Sequence, residues 1–284
     1  MRIRHLPSDD SQRQGMNSKV DKKKLDELYR NYNRREYVHP DPLEFLYAYK
    51  NLADREIAGL IASCLAYGRV NQILKSASQV FKKMGASPSL FLKKATVESL
   101  RQAFSGFSHR FATGEALSML LMGTKIVIER YGSLYKCFLC GFNRRHETVL
   151  PALVFFAQQI KAGGICRPGH LLPCPEKGSA CKRLNLFLRW MVRNDEVDPG
   201  GWADVPGSKL IIPLDTHMHR IGIRLGLTSR NQADMCTALE ITASFRKIVP
   251  DDPVRYDFSL TRLGIRKDAD LETFLSGPSS NRSS

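Results

Sequence analysis

The segment PLDTHMHRIG begins at Pro213 and places an acid, two histidines and an arginine directly after an apolar run. Asp215 stands where a helical pattern begins. An aspartate there is typical of an N-cap, which accepts hydrogen bonds from the N–H groups of the first turn. The same carboxylate is also a candidate catalyst. The two roles are compatible, and this segment alone does not separate them.

His217 and His219 raise the question of a metal site beside Asp215. On a helix, residues two apart point about 200° away from each other and cannot share a metal ion, whereas on a strand or at the start of a helix they can. We therefore favour a cationic surface that includes His219 and Arg220. A metal-dependent hydrolase using Asp215, His217 and His219 is the less favoured alternative, and no metal or cofactor is predicted.

The seven cysteines include one Cys-x-x-Cys pair, Cys137 and Cys140. A structural zinc site needs two more ligands at compatible spacing, and the nearest candidates, among them Cys166 and Cys174, are irregularly placed. The cysteines do not cluster as in an iron–sulfur centre. The odd count and wide spacing favour reduced thiols, and the first residues lack the apolar core of a secretory leader, so we predict a cytoplasmic protein.

Basic residues outnumber acidic ones by 43 to 28, a formal net charge of +15. This excess favours a polyanionic partner such as nucleic acid, because basic side chains gain affinity by releasing counterions from phosphates. A generally basic protein without such a partner is the alternative. No apolar stretch approaches the roughly 20 residues of a membrane-spanning helix, so no membrane partner is predicted.

The elements that must position these residues read as helices. Ile57, Leu60, Ile61 and Leu65 recur at helical spacing, and glycines follow several such patterns where a helix would end. Alternating strand patterns are scarce. The predicted fold is all-α and compact, with one domain over residues 21–275 between a polar tail, 1–20, and a second tail, 276–284.

The segment that precedes Asp215 in the fold is a second candidate for binding. Pro173 and Pro175 interrupt any helix, and Gly178 is predicted to start a new one that runs to about Arg193. The free N–H groups of a helix start attract anions, and Lys177, Lys182 and Arg183 crowd this one. An ordinary turn between two helices, with solvated basic residues, explains the same pattern.

Together these segments resemble the helix-hairpin-helix DNA glycosylase superfamily of the endonuclease III type. Its members carry an L-P-G-V-G-x-K-T-A hairpin followed by a V-D-T-H-x-x-R-V motif. Here LPCPEKGSA occupies Leu172–Ala180 at the same length, LDTHMHRIG begins at Leu214, and ASCLAYGRVNQ looks like part of the opening core helices. The likeness covers residues 55–265 and implies a glycosylase-like fold with a degenerate hairpin.

The resemblance implies that Asp215 helps to break an N-glycosidic bond by stabilising an oxocarbenium-like transition state, on a base flipped out of its stack. It also implies nucleic acid, with DNA favoured, as the partner. The residues expected to contact it are Arg69, Lys177, Lys182, Arg183, Arg189, Arg193, His217, His219 and Arg220.

The departures from the family limit this expectation. Gly178 stands where bifunctional members have a Schiff-base lysine, and by register neither Lys177 nor Lys182 replaces it. Cys174 and Glu176 stand in place of the two hairpin glycines, which normally let the backbone approach a phosphate. The iron–sulfur cysteines are missing. We therefore predict a monofunctional N-glycosylase without lyase activity.

A non-catalytic DNA- or RNA-binding protein on a glycosylase fold is the alternative. The acidic, Gly/Pro-rich segment 195–209 joins the two elements that would wall the pocket, and we predict that it folds over that pocket.

Overall fold

The structure is a computed structural model that describes residues 21–163, 169–173, 175–263 and Phe274. The helices are α1 (Lys22–Tyr32), α2 (Leu52–Leu65), α3 (Val70–Met84), α4 (Pro88–Lys94), α5 (Val97–Phe104), α6 (Gly114–Tyr131), α7 (Leu134–Gly141), α8 (Leu150–Gly163), α9 (Lys182–Val192), α10 (Thr216–Arg224), α11 (Met235–Ile248) and α12 (Asp257–Leu263). Short 3-10 turns lie at Arg35–Tyr37, Pro42–Ala48, Gly169–Leu171, Pro175–Lys177 and Gly207–Lys209. Within the described residues the one sheet pairs β1 (Ser108–His109) with β2 (Ala112–Thr113). The prediction of an all-α chain is confirmed.

Local sequence explains where the helices begin and end. Thr113 caps α6 by accepting a hydrogen bond from the Ala116 N–H, and Gly132 ends that helix in the left-handed conformation that glycine adopts without strain. Gly85 ends α3 with a positive φ of 73°, as its position in the sequence predicts.

Helix α2 lies at the centre of the molecule. Its residues from Ile57 to Leu65 are buried almost without interruption, because α9, α7, α3, α4 and the 3-10 turn Pro42–Ala48 surround it. Aromatic rings fill the space beside it, with Trp202 lying 5.2 Å from Phe187 and 5.3 Å from Phe138, ring centre to ring centre. One contiguous apolar core therefore runs from Leu25 in α1 to Leu263 in α12.

The segment 195–209 does not cover the cleft that contains Asp215, so that prediction is wrong. Trp202 and Val205 are buried in the core, and the Trp202 indole N–H donates to the Glu56 carboxylate at 3.0 Å. The apolar residues within this polar segment anchor it against α2 instead, and the segment lines no part of that cleft.

Helix α9 begins at Lys182, four residues later than predicted from Gly178. The residues before it form the 3-10 turn Pro175–Lys177, after which Gly178 has a φ of +77°. The Gly178 carbonyl accepts a hydrogen bond from the Met235 N–H at 3.0 Å, which ties this turn to the start of α11. Cys174 and Cys166, like the tails 1–20 and 276–284, lie outside the described residues.

No helix in the described part of the chain is both long enough and apolar enough to cross a membrane.

Candidate functional site

Three segments far apart in the sequence enclose a cleft of about 520 Å³. One wall is the loop after α2, at Tyr67 and Gly68. A second wall is the start of α9. The third is the start of α10, where Asp215 is the N-cap. The cleft residues are Ala66, Tyr67, Gly68, Pro173, Ser179, Ala180, Cys181, Lys182, Arg183, Leu214, Asp215, Thr216, His217 and Ala233. The structure thus brings together Asp215, Lys182, Arg183 and His217 from the predicted site.

Asp215 is the N-cap of α10, as its sequence position predicts. Its Oδ1 accepts a hydrogen bond from the Met218 N–H at 2.9 Å. Its Oδ2 lies 2.9 Å from Nζ of Lys182, and the side chain keeps 23% of its exposure. One oxygen therefore holds the helix while the other faces the cleft beside a cation.

Lys182 occupies the first turn of α9, so its side chain enters the cleft from the wall opposite α10. By register, the sequence predicts Gly178, and neither Lys177 nor Lys182, at the position where bifunctional glycosylases of the endonuclease III type have a Schiff-base lysine. Gly178 indeed has no side chain to offer, but the later start of α9 brings an amine to the carboxylate from another position. This proximity depends on where α9 begins in the fold, so matching segments by length could not predict it.

The pKa of Asp215 lies below its usual value. Burial alone would raise it, but the charge of Lys182 and the hydrogen bonds from the Met218 N–H and Lys182 outweigh that effect. The carboxylate is therefore ionised at neutral pH, as a group that must stabilise positive charge or accept a proton has to be.

The guanidinium of Arg183 is held by contacts within the protein. It donates to the Cys64 carbonyl at 2.8 Å and to the Leu171 carbonyl at 3.0 Å, and it stacks 4.8 Å from the centre of the Tyr67 ring. It also donates to the His170 carbonyl. Arg183 thereby fixes one wall of the cleft, and these internal contacts give no support to its predicted phosphate contact.

The prediction that Arg189 and Arg193 contact nucleic acid is wrong, because both side chains are buried, at 3% and 7% exposure. Arg189 pairs with Asp198 at 3.2 Å and with Asp257 at 2.5 Å. Arg193 pairs with Asp198 at 2.9 Å, with Asp252 at 2.5 Å and with Asp195. These buried guanidiniums neutralise acids of the 195–209 segment, Asp252 and Asp257 of α12, and cannot reach a nucleic acid.

The remaining predicted contacts lie at the surface. Arg69 is exposed before α3, next to the Gly68 wall, and Arg220 is exposed on α10. Lys177 belongs to the 3-10 turn before α9, and its side chain lies outside the described part.

The two histidines of the His-x-His pair diverge on α10. His217 approaches Arg220, with Nδ1 3.4 Å from a guanidinium nitrogen, whereas Nε2 of His219 lies 2.8 Å from the Arg230 carbonyl. Among the described residues, no group of three or more His, Cys, Asp or Glu side chains could hold a metal ion. The geometry gives no support to the hydrolase built on Asp215, His217 and His219.

The β1–β2 hairpin lies beside the cleft and was not predicted from the sequence. Its tip presents Arg110 and the exposed ring of Phe111. Strands of two residues are too short for an alternating pattern to show, so periodicity could not have found this hairpin.

The chain matches the family described as "Protein of unknown function (DUF2400)" over residues 41–266, which is most of its length. The chain belongs to the DUF2400 family. The match includes all three walls of the cleft. No curated protein and no solved structure matches the chain.

Proposed function

We propose that this DUF2400 protein is a nucleic-acid N-glycosylase that hydrolyses a base–sugar bond with Asp215, on a glycosylase-like helical fold, with DNA as the favoured substrate. The observation that carries the proposal is the state of Asp215. It is an ionised carboxylate, held by the α10 N-terminus, in an open cleft on a strongly basic protein.

The chemistry follows from that position. As the bond between C1′ and the base nitrogen breaks, the base leaves with the electron pair and takes up a proton from solvent. Asp215 stabilises the positive charge that develops on the sugar. Water then adds to C1′ and gives a proton to a carboxylate oxygen. Lys182 keeps the carboxylate ionised before the reaction, and Arg69 and Arg220 contact the phosphates.

The Lys182–Asp215 contact supports a second candidate, in which the nucleophile is an amine. Lys182 gives a proton to Asp215, and its nitrogen attacks C1′ as the base departs with the bonding electrons. The nitrogen then loses a proton, and its electron pair forms a double bond to C1′ as the C1′–O4′ bond breaks and O4′ takes up a proton. The product is a protonated imine between the ring-opened sugar and the enzyme, which permits strand cleavage. This candidate differs from the first by leaving a covalent, reducible intermediate.

The test is base release from single- and double-stranded oligonucleotides that carry a panel of damaged bases, followed by mass spectrometry. Wild-type protein should release a base, and Asp215→Asn should not, although it still binds. Borohydride in the reaction should trap a protein–DNA adduct only if Lys182 is the nucleophile, and Lys182→Met should then abolish the adduct.

Asp234 provides a matched control. It caps α11 as Asp215 caps α10, accepting from the Thr237 N–H at 2.9 Å, and pairs with Arg230 at 3.1 Å. Asp234→Asn should leave base release unchanged. Equal loss of base release in both variants would show that Asp215 has only a structural role. Salt-sensitive binding without release of any base would instead favour a non-catalytic nucleic-acid-binding protein.

A further inference from the structure

The side chain of Phe111 is unusually exposed for its size. It keeps 72% of its exposure, at the tip of the β1–β2 hairpin. Because His109 pairs with Ala112, Arg110 and Phe111 form a two-residue turn that projects from the surface. A phenylalanine in that position buries little apolar surface on folding, so most of its ring is free to contact a ligand.

The hairpin beneath Phe111 is firmly held. His109 is buried, with Nδ1 2.9 Å from the Ser76 hydroxyl and Nε2 3.1 Å from the Tyr67 carbonyl. The Tyr67 hydroxyl donates to the His109 carbonyl at 3.0 Å, and the two rings meet edge to face. Phe111 is therefore presented by a rigid support.

The backbone of the turn is strained as well. Arg110 has a φ of 54°, in the left-handed region that residues other than glycine rarely adopt. Its side chain packs over Gly68, where a Cβ atom would lie 2.8 Å from Cδ of Arg110. Gly68 also lines the cleft, so the hairpin and the cleft share a wall. Strain of this kind persists where the surroundings enforce it, and it gathers at binding sites.

Cationic and aromatic groups surround the Phe111 ring. The Arg110 guanidinium lies 5.5 Å from its centre, and the exposed His170 ring lies 6.1 Å away. The His170 carbonyl accepts from Arg183, which lines the cleft. An apolar ring with a guanidinium at its side, next to a basic cleft, matches the surface that binds a base and its phosphate.

We propose that Phe111 is a stacking platform for a nucleobase in an unpaired stretch of nucleic acid, next to the nucleotide that enters the cleft. This rests on the proposed function only in taking nucleic acid as the partner. In a duplex, neighbouring base pairs cover both faces of a base, whereas an unpaired base offers a free face to an aromatic ring. The substrate class is thus a single strand, a loop or a locally opened duplex.

The test is fluorescence anisotropy with a labelled oligonucleotide, single-stranded and annealed to its complement. Wild-type protein should bind the single strand more tightly. Phe111→Ala should weaken single-strand binding about tenfold and duplex binding much less, Phe111→Trp should preserve it, and Phe111→Leu, apolar but not aromatic, should resemble alanine. Leu90, 59% exposed in α4 and lining a different pocket, supplies the control Leu90→Ala, which should change neither affinity.

The outcomes separate this proposal from the proposed function. If Phe111→Ala binds the single strand as tightly as wild type, or if wild type prefers the duplex, the proposal that Phe111 stacks on a base is wrong. The role of Asp215 is still tested separately by the base-release assay. A loss confined to single strands supports the platform even if no base is ever released. Failure of the wild type to bind either form overturns both.

Discussion

Lys182 and Asp215 stand at the starts of two different helices, α9 and α10, and their side chains meet at 2.9 Å. The positive end of the α10 dipole also lies at this carboxylate, through the Met218 N–H, and adds to the effect of the lysine charge. The arrangement concentrates positive potential at one point of the cleft while leaving Asp215 partly accessible.

Asp215 has two roles that substitution can separate. Asparagine caps a helix about as well as aspartate, so Asp215→Asn should change the free energy of unfolding by less than about 0.5 kcal/mol, whereas Asp215→Ala should cost about 1 kcal/mol. Both should lower base release about 100-fold or more, because both remove the charge. Urea unfolding and base-release assays on the two variants check this. Full activity in Asp215→Asn would contradict a catalytic charge.

Lys182 should determine the pH at which base release is lost on the acid side of its pH profile. The folded-state pKa of Asp215 is lowered, so activity that needs the carboxylate is present at neutral pH and is lost only as pH falls through that lowered pKa. Burial already raises this pKa, and Lys182→Met removes the charge and the hydrogen bond that oppose it, so the acid limb should move to higher pH. Lys182→Arg should leave it in place. If both variants lose all base release at every pH, the lysine is itself the nucleophile.

The buried arginines should govern stability and not binding. Arg189→Met leaves Asp198 and Asp257 without that cation in the core, and should lower the free energy of unfolding by about 3–5 kcal/mol. Urea unfolding measures this loss.

The exposed arginines should behave in the opposite way. Arg69→Ala and Arg220→Ala should each reduce the slope of log affinity against log salt by about one, with stability changed by less than about 0.5 kcal/mol. A salt titration of oligonucleotide binding is the measurement. An unaltered slope in both variants would place the phosphate backbone elsewhere on the surface.

Glu56 should make stability depend on pH. Burial raises its pKa to about 7, although the Trp202 indole and the Leu134 N–H donate to it. For an acid with a raised folded-state pKa, the folded state binds more protons than the unfolded state between pH 4.5 and about 7. Its contribution to stability therefore falls as pH rises through that window, by about 3 kcal/mol.

Glu56→Gln isolates that contribution, because glutamine mimics the protonated acid. The difference in unfolding free energy between the variant and wild type should shift in favour of the variant as pH rises from 5 to 7.5. Urea unfolding at these two pH values gives the result. A difference that stays constant with pH would mean that Glu56 titrates normally.

Local sequence predicted the helices because each apolar stripe and each cap acts over a few residues. Asp215 as an N-cap, Gly85 as a helix end and the buried face of α2 all follow from such short-range patterns. The contacts that define the site instead join residues far apart in the sequence. Lys182 meets Asp215 across 33 positions of chain, and Arg189 meets Asp257 across 68.

Local sequence patterns could not predict the long-range charge pairs. On a helical wheel Arg189 and Arg193 fall off the apolar stripe and look solvated. They are buried because acids from later segments surround them. The same limitation applies to the 195–209 segment, whose polar composition concealed the buried Trp202.

Helix α1 gives the molecule a physical boundary that differs from the range shared with its family. The family match begins at residue 41, yet α1 ends at Tyr32 and buries Leu25 and Leu28. Asp26 of this helix accepts a hydrogen bond from the Tyr256 hydroxyl at 2.6 Å, and Tyr29 donates to Asp195. A protein shortened to the shared range would expose an apolar groove over α12 and uncover the ion pairs behind it. Helix α1 therefore packs against the same core as the matched range, although it precedes that range in the sequence.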